Sequence, residues 1–188
     1  MQVQALEGAF DNAPVENAVA FRAAMNALAR PGQIEQISGA NPPAPLSVAA
    51  GSLILMLCDS ETPVSLSGPL DTQVIREWVI FHTGAPIVSP REAAFALGTW
   101  QSLIPLSQFA IGTAQYPDRS ATLIVESDEL KPHGATLAGP GIKTTAQLSL
   151  PDIQSFQQNA SKFPLGLDFF FTAGTQVAAL PRTTKVDR

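Results

Sequence analysis

The sequence is poor in the residues on which many catalytic and metal centres depend. Its 188 residues include one cysteine and two histidines. The single thiol, Cys58, excludes an internal disulfide and a cysteine-based metal cage. Because Cys58 ends an apolar run that begins at Leu53, we expect an unreactive core thiol. A catalytic triad or a histidine-based zinc site needs His within a supporting set of acids or thiols, and with only His82 and His133 the sequence indicates neither.

Charged residues are also scarce, at 14% of the chain, against roughly 25% in ordinary globular domains. The formal net charge is −5, and the eleven basic residues are scattered singly. This pattern argues against binding to nucleic acid or to an anionic membrane, both of which need a basic patch. Two explanations of the low charge are open: another subunit covers part of the surface, or the core is large and rich in alanine.

Long apolar runs and phosphate-loop motifs are missing as well. The longest apolar run, residues 53–58, is far shorter than the roughly 18 residues of a membrane span. Residues 1–10 lack the pattern of a secretory signal, so we expect a cytoplasmic protein. Neither GxxxxGK[ST] nor GxGxxG occurs. The stretch most similar to a phosphate-binding loop is residues 139–141, and its proline removes one backbone donor. We therefore interpret it as a turn, with an anion-binding loop as the less favoured alternative. Too few carboxylates cluster for a metal site, and we expect none.

Helical and strand patterns alternate along the chain, which predicts one layered α/β or α+β domain over residues 1–188, most simply an α/β domain with a mixed sheet between layers of helices. In the first helix, Ala18, Phe21, Met25 and Leu28 form an apolar stripe that we expect to face inward. The predicted helices cover residues 13–30, 46–58, 72–81 (with Phe81 inward), 100–106 and 151–162. The predicted strands cover residues 33–37, 62–66, 122–126, 135–138, 167–171 and 177–180, and residues 87–88 and 94–97 are predicted to form one or two further short strands.

The last two strands bring an acid and a base together. Asp168 begins the first strand and Arg182 follows the second, so an antiparallel hairpin makes them neighbours. One interpretation is a structural ion pair that closes one end of the sheet. The other is that Arg182, Thr183 and Thr184 donate to an anionic ligand or a partner chain, with Asp168 orienting the guanidinium. His82, at a helix end, is expected to bond the last helical carbonyls, with a role toward a ligand as the alternative.

An ordered set of short motifs resembles the PhnH family, a subunit of the bacterial carbon–phosphorus lyase core complex. The motifs run through nearly the whole chain, and residues 100–119 are the part they leave unplaced. They are Phe21-Arg22, Arg30-Pro31-Gly32, Thr62-Pro63-Val64-Ser65-Leu66, Phe81-His82-Thr83-Gly84-Ala85-Pro86, Gly134-Ala135-Thr136-Leu137, Leu137-Ala138-Gly139-Pro140-Gly141-Ile142, Phe163-Pro164-Leu165-Gly166-Leu167-Asp168 and Pro181-Arg182-Thr183-Thr184.

The resemblance implies a three-layer αβα sandwich, similar to the large domain of transferases that use pyridoxal phosphate (PLP) but without PLP. It also implies a homodimer that joins PhnG, PhnI and PhnJ type subunits. That complex forms ribose 1-methylphosphonate 5-triphosphate from methylphosphonate and MgATP, which is the substrate of the complex. The resemblance gives no catalytic residue for this subunit.

The sequence therefore leaves three functional hypotheses open. The first is an accessory or structural subunit of the complex. The second is a stand-alone enzyme that binds a nucleotide or phosphonate near Asp168 and Arg182, Thr183 and Thr184. The third is a vestigial cofactor-binding domain, and no cofactor-specific residue in the sequence supports it.

Overall fold

A six-stranded mixed sheet forms the centre of the protein in its computed structural model, which describes residues 5–188. The strands lie in the order β1-β8-β7-β4-β3-β2, and β2, β3, β4 and β7 run parallel. Strand β8 returns antiparallel to β7 and pairs Leu180 with Phe169, which confirms the predicted hairpin. The strands of this sheet are β1 (Glu35–Gln36), β2 (Val64–Leu66), β3 (Phe95–Thr99), β4 (Thr122–Glu126), β7 (Asp168–Ala173) and β8 (Gln176–Leu180).

Helices cover both faces of the sheet, as predicted, so side chains along the interior strands alternate between two separate cores. On β4, Ile124 joins the core of α1, α2 and α3, whereas Leu123 and Val125 join the core of α4 and α5. The uninterrupted apolar run of such a strand follows from burial on both sides. The helices are α1 (Ala13–Ala29), α2 (Val48–Leu57), α3 (Gln73–Thr83), α4 (Trp100–Leu103) and α5 (Ile153–Ala160).

The inward face predicted for α1 is wrong. The helix buries four alanines, and Phe21 and Met25 are 48% and 53% exposed. Small side chains let the helix backbone lie close to β8 and α2, and this close approach turns the larger apolar residues outward. Of the predicted stripe, Ala18, Phe21 and Met25 are exposed, whereas Leu28 is half-buried against the core. The buried alanines are Ala20, Ala23, Ala24 and Ala27.

A second, three-stranded sheet was only partly predicted. Strand β5 (Ala135–Ala138) was expected, whereas its antiparallel neighbours β6 (Ala146–Leu148) and β9 (Lys185–Asp187) were not. These two strands have three residues each, and each contributes one buried residue, Leu148 or Val186. Such brief pairings leave almost no periodic signal in a sequence.

Two local predictions need correction. No strand forms at residues 87–88, where Ile87 makes a single bridge to Val64. Phe81 is 51% exposed rather than inward, because Ile75, Trp78 and Val79 form the buried side of α3. The turn at residues 139–141 packs against the end of α1, and a Cβ on Gly141 would lie 1.9 Å from the Ala29 carbonyl oxygen.

The environment of Cys58 agrees with an unreactive thiol. The side chain is buried, and loss of hydration, reinforced by the charge of Asp59, raises the pKa of the thiol to about 12. The thiolate that reacts is therefore scarce near neutral pH. Across residues 5–188, no helix has both the length and the apolar character to cross a membrane.

Candidate functional site

The side chains of Asp168 and Arg182 form an ion pair at the end of the sheet where β7 begins. The Arg182 Nε lies 3.2 Å from each carboxylate oxygen, and a second nitrogen, Nη2, contacts Oδ2. The backbone N–H of Arg182 also donates to Oδ1, at 2.8 Å. The side chains are only 12% and 26% exposed. The predicted ion pair is thus present, and it fixes the point at which β8 leaves the sheet.

The guanidinium of Arg182 is engaged on all three of its nitrogens. Beyond the pair with Asp168, Nη1 donates to the carbonyl oxygens of Pro117 at 2.9 Å and Pro164 at 3.5 Å. Nη2 also contacts Ser120 Oγ. The loop before β4 and the loop before β7 are therefore joined through one side chain. We call this set of five residues the arginine clamp. A guanidinium with its donors directed at protein acceptors has little capacity left for an anion.

The other predicted site residues do not assemble into one site with Arg182. Thr184 is 1% exposed, and its hydroxyl has no hydrogen-bond partner among the described residues. Thr183 is half-buried beside it. His82 lies at the end of α3, where Nε2 is 3.2 Å from the carbonyl oxygen of Glu7. Its expected bond to the last helical carbonyls is therefore wrong, because Thr83 Oγ1 takes that role with Val79 and Gly84 ends the helix.

Glu126, at the carboxyl end of β4, is a buried acid that the sequence analysis did not single out. Its Oε2 accepts from the backbone N–H of Ser47 at 3.3 Å and from Thr172 Oγ1 at 3.3 Å. Burial raises the pKa of the carboxyl, although these hydrogen bonds act in the opposite direction. The carboxyl ends of parallel strands are where α/β sheets usually bind ligands. Here Glu126 instead joins β4 to the start of α2.

The largest feature that the sequence analysis placed on the wrong side is the outward face of α1. Val15 and Val19 are 57% and 61% exposed there, next to Phe21 and Met25. Arg22 is the one charged residue among the exposed positions 15–25 of this helix. A groove of about 670 Å³ follows this face as far as Glu35 and Gln36 of the edge strand β1. A contiguous apolar surface with so little charge is typical of a protein–protein contact.

The fold and these features define a class: a mixed-sheet α/β protein in which the clamp arginine is held by structural contacts and the first helix exposes an apolar face. The family model of the bacterial phosphonate metabolism protein PhnH matches residues 8–187. The chain belongs to this family.

Two relatives agree with the family assignment. The chain is 42% identical over 196 aligned positions to the alpha-D-ribose 1-methylphosphonate 5-triphosphate synthase subunit PhnH of Rhizobium meliloti strain 1021, covering 100% of this chain and 98% of that protein. It is 28% identical over 178 positions to the putative C-P lyase subunit protein HtxG of Stutzerimonas stutzeri, covering 89% of this chain and 84% of that protein.

Replacing the clamp arginine should cost stability. In Arg182→Gln the Asp168 charge loses its partner in a mostly enclosed setting, so we expect a loss of about 3 kcal/mol in the free energy of unfolding. Urea denaturation followed by circular dichroism measures this. Arg76→Gln is the matched control, because the Arg76–Asp71 pair has side chains that are 41% and 32% exposed and should contribute less than about 1 kcal/mol. Equal losses in both variants would contradict a structural role for the clamp.

Glu126 should make stability depend on pH in a defined direction. A raised pKa means that the folded state holds the proton more tightly than the unfolded chain. The contribution of this tighter proton binding to the free energy of unfolding is fully present below the ordinary pKa of glutamate, and it is lost as the pH rises through the raised pKa. Relative to Glu126→Gln, the unmodified protein should therefore lose stability over the pH range that begins at the ordinary pKa of a glutamate, about 4.5, and runs upward through the raised pKa. Urea unfolding across this range measures the difference, with Glu61→Gln as the exposed control. A difference that grows in the other direction would refute the assignment.

Proposed function

We propose that this protein is the PhnH subunit of α-D-ribose 1-methylphosphonate 5-triphosphate synthase and acts in phosphonate breakdown through the carbon–phosphorus lyase complex. The observation that carries the proposal is the 42% identity over the full chain to a subunit of that name. In this proposal the chain acts as one accessory domain. The assembly, rather than this chain alone, converts methylphosphonate and MgATP.

The partners we propose are a second copy of this chain and the PhnG, PhnI and PhnJ type subunits. The outward face of α1 supports a contact with another polypeptide, because its large apolar residues are exposed and carry little charge. An exposed apolar helix face is costly in water and becomes favourable once a partner covers it. We assign this face to the sister subunits.

The proposal leaves this chain without PLP and without a cofactor of its own. Each of the four lysines is exposed or half-buried, whereas a Schiff-base lysine is usually desolvated. We also propose that the fold is a three-layer αβα sandwich similar to the large domain of PLP-dependent transferases. This similarity concerns architecture and implies no PLP chemistry.

A stand-alone enzyme with an anion site at Arg182, Thr183 and Thr184 is the alternative. Its main difficulty is that the Arg182 donors are engaged and Thr184 is enclosed. A direct assay separates the two readings.

The purified chain, mixed with MgATP and methylphosphonate, should release no adenine, because the accessory role places that step in the assembly. Chromatography of the reaction mixture measures adenine, and the co-expressed subunits serve as the positive control. Adenine release by the chain alone, at a rate proportional to its concentration, would overturn the accessory role.

Charges on the outward face of α1 should prevent assembly without unfolding the chain. Val19→Glu and Met25→Glu change exposed residues, so we expect the free energy of unfolding to shift by less than about 0.5 kcal/mol. Recovery of PhnG, PhnI and PhnJ type subunits from co-expressing cells on the tagged chain should fall at least about tenfold.

The matched control for assembly is Ile104→Glu, which makes the same kind of change at a 45% exposed residue next to α4, on the other side of the sheet. It should leave recovery unchanged. Loss of recovery in the Ile104 variant, with normal recovery in the α1 variants, would place the contact on the opposite layer. A dimer that becomes a monomer only in the α1 variants would assign the face to the second copy instead.

A further inference from the structure

Three basic side chains surround one cavity at the amino ends of the parallel strands. The cavity has a volume of about 420 Å³, and Arg91, Arg119 and Lys162 line it together with Ser107 and Thr113. No aspartate or glutamate is among its lining residues. Three of the eleven basic residues of an acidic protein thus share one small space.

The sheet topology explains why residues so distant in sequence meet. Arg91 precedes β3, Arg119 precedes β4 and Lys162 precedes β7. These three strands are parallel and adjacent, so the segments that enter them meet at one edge of the sheet. The scattered basic residues of the sequence are therefore gathered by the fold.

Among the residues that the structure describes, none of the three cations forms an ion pair with an acid. Within residues 5–188 the ion pairs within 4.0 Å involve Arg76, Lys131 and Arg182. The Arg119 guanidinium instead lies 4.2 Å from the centre of the Tyr116 ring.

The acids next to Arg91 and Arg119 in sequence, and the acid that lines the neighbouring cavity, are directed elsewhere. Glu92 accepts from Ser89 Oγ at 2.7 Å. Asp152 lines the neighbouring cavity, which shares Ser107 and Lys162 with this one, and contacts Ser155 Oγ and the Gln154 N–H. Asp118, next to Arg119 in sequence, is exposed and forms no ion pair with the three bases. Like charges left together without counter-charges favour binding of an anion.

The arginine clamp fixes two of the three basic segments. Arg182 bonds Pro117 and Ser120, which lie on either side of Arg119, and Pro164, two residues after Lys162. The backbone N–H of Gly166 also donates to the carbonyl of Ile111 in the cavity wall, at 3.0 Å. A site whose charged groups stand on tied segments loses less entropy when it binds.

From these observations we infer that the cavity formed by Arg91, Arg119 and Lys162 binds a multiply charged phosphate or phosphonate group. Arginine and lysine donors suit such oxyanions, and three of them match a group with two or more negative charges. Phe109 and Ile111 add an apolar wall, and the volume exceeds that of one phosphate group. The ligand class is therefore a small phosphate ester, polyphosphate or phosphonate. The inference goes beyond the accessory role proposed above, which assigns this chain no ligand.

The test is calorimetric titration of the purified full chain with tripolyphosphate, ATP without magnesium, and methylphosphonate. Tripolyphosphate should bind at one site per chain. Arg91→Gln, Arg119→Gln and Lys162→Gln should each weaken binding about tenfold. Tighter binding of ATP would identify a nucleotide as the preferred ester, and tighter binding of methylphosphonate would identify the phosphonate.

Matched variants separate a built site from general charge attraction. Lys143→Gln removes the same charge from an exposed lysine that does not line the cavity, and it should leave binding unchanged. Arg119→Lys keeps the charge and should bind within about threefold of the unmodified protein. Circular dichroism checks that each variant is folded.

Two results would overturn the inference: no heat of binding for any of the three probes, or equal weakening in the Lys143 variant. Because the titration needs no partner subunit, its outcome is independent of the co-purification that tests the proposed function.

Discussion

The pairing of Asp168 with Arg182 is the interaction on which the arrangement of the sheet edge depends. The pair joins the start of β7 to the chain that follows β8, at the open end of the hairpin. Through Pro117, Ser120 and Pro164, Arg182 also holds the two loops that lead into β4 and β7. Partly buried charges have to be matched in this way, since an unpaired one costs several kcal/mol. A side chain that seemed suited to capturing a ligand is therefore occupied by the protein itself. Its functional consequence is indirect: it sets the positions of the loops that carry Arg119 and Lys162.

The structure bears on both of the explanations that composition left open for the low charge of the sequence. Alanine fills the contact between α1 and the sheet, which accounts for part of the apolar content. The remainder includes large residues that face outward from the same helix, Val15 and Val19 among them. Contact of such an apolar face with water is unfavourable for the isolated chain, and burial against another subunit removes this free-energy cost. The outward face of the helix that packs on the sheet thus supports the proposed role as a subunit.

Much of the fold was predictable because buried strands and helix boundaries leave strong local signals. The apolar run from Leu167 to Phe171 indicated an interior strand, and Asp168 with Arg182 indicated a pair. The side of α1 that faces the sheet was not predictable, because alanine and larger apolar residues both recur at helical spacing and only packing selects between them. The cavity was not predictable either, since Arg91, Arg119 and Lys162 are brought together by parallel pairing across more than one crossover.

The measurement that tests the central claim most directly is a double-mutant cycle on Asp168 and Arg182. The free energies of unfolding of Asp168→Asn, Arg182→Gln and the double variant are compared with that of the unmodified chain. If the pair is the structural link described here, the two losses are strongly non-additive, with a coupling free energy of about 2 kcal/mol or more. Losses that add to within about 0.5 kcal/mol would show that the two side chains act independently, and the clamp would then not hold this edge of the sheet.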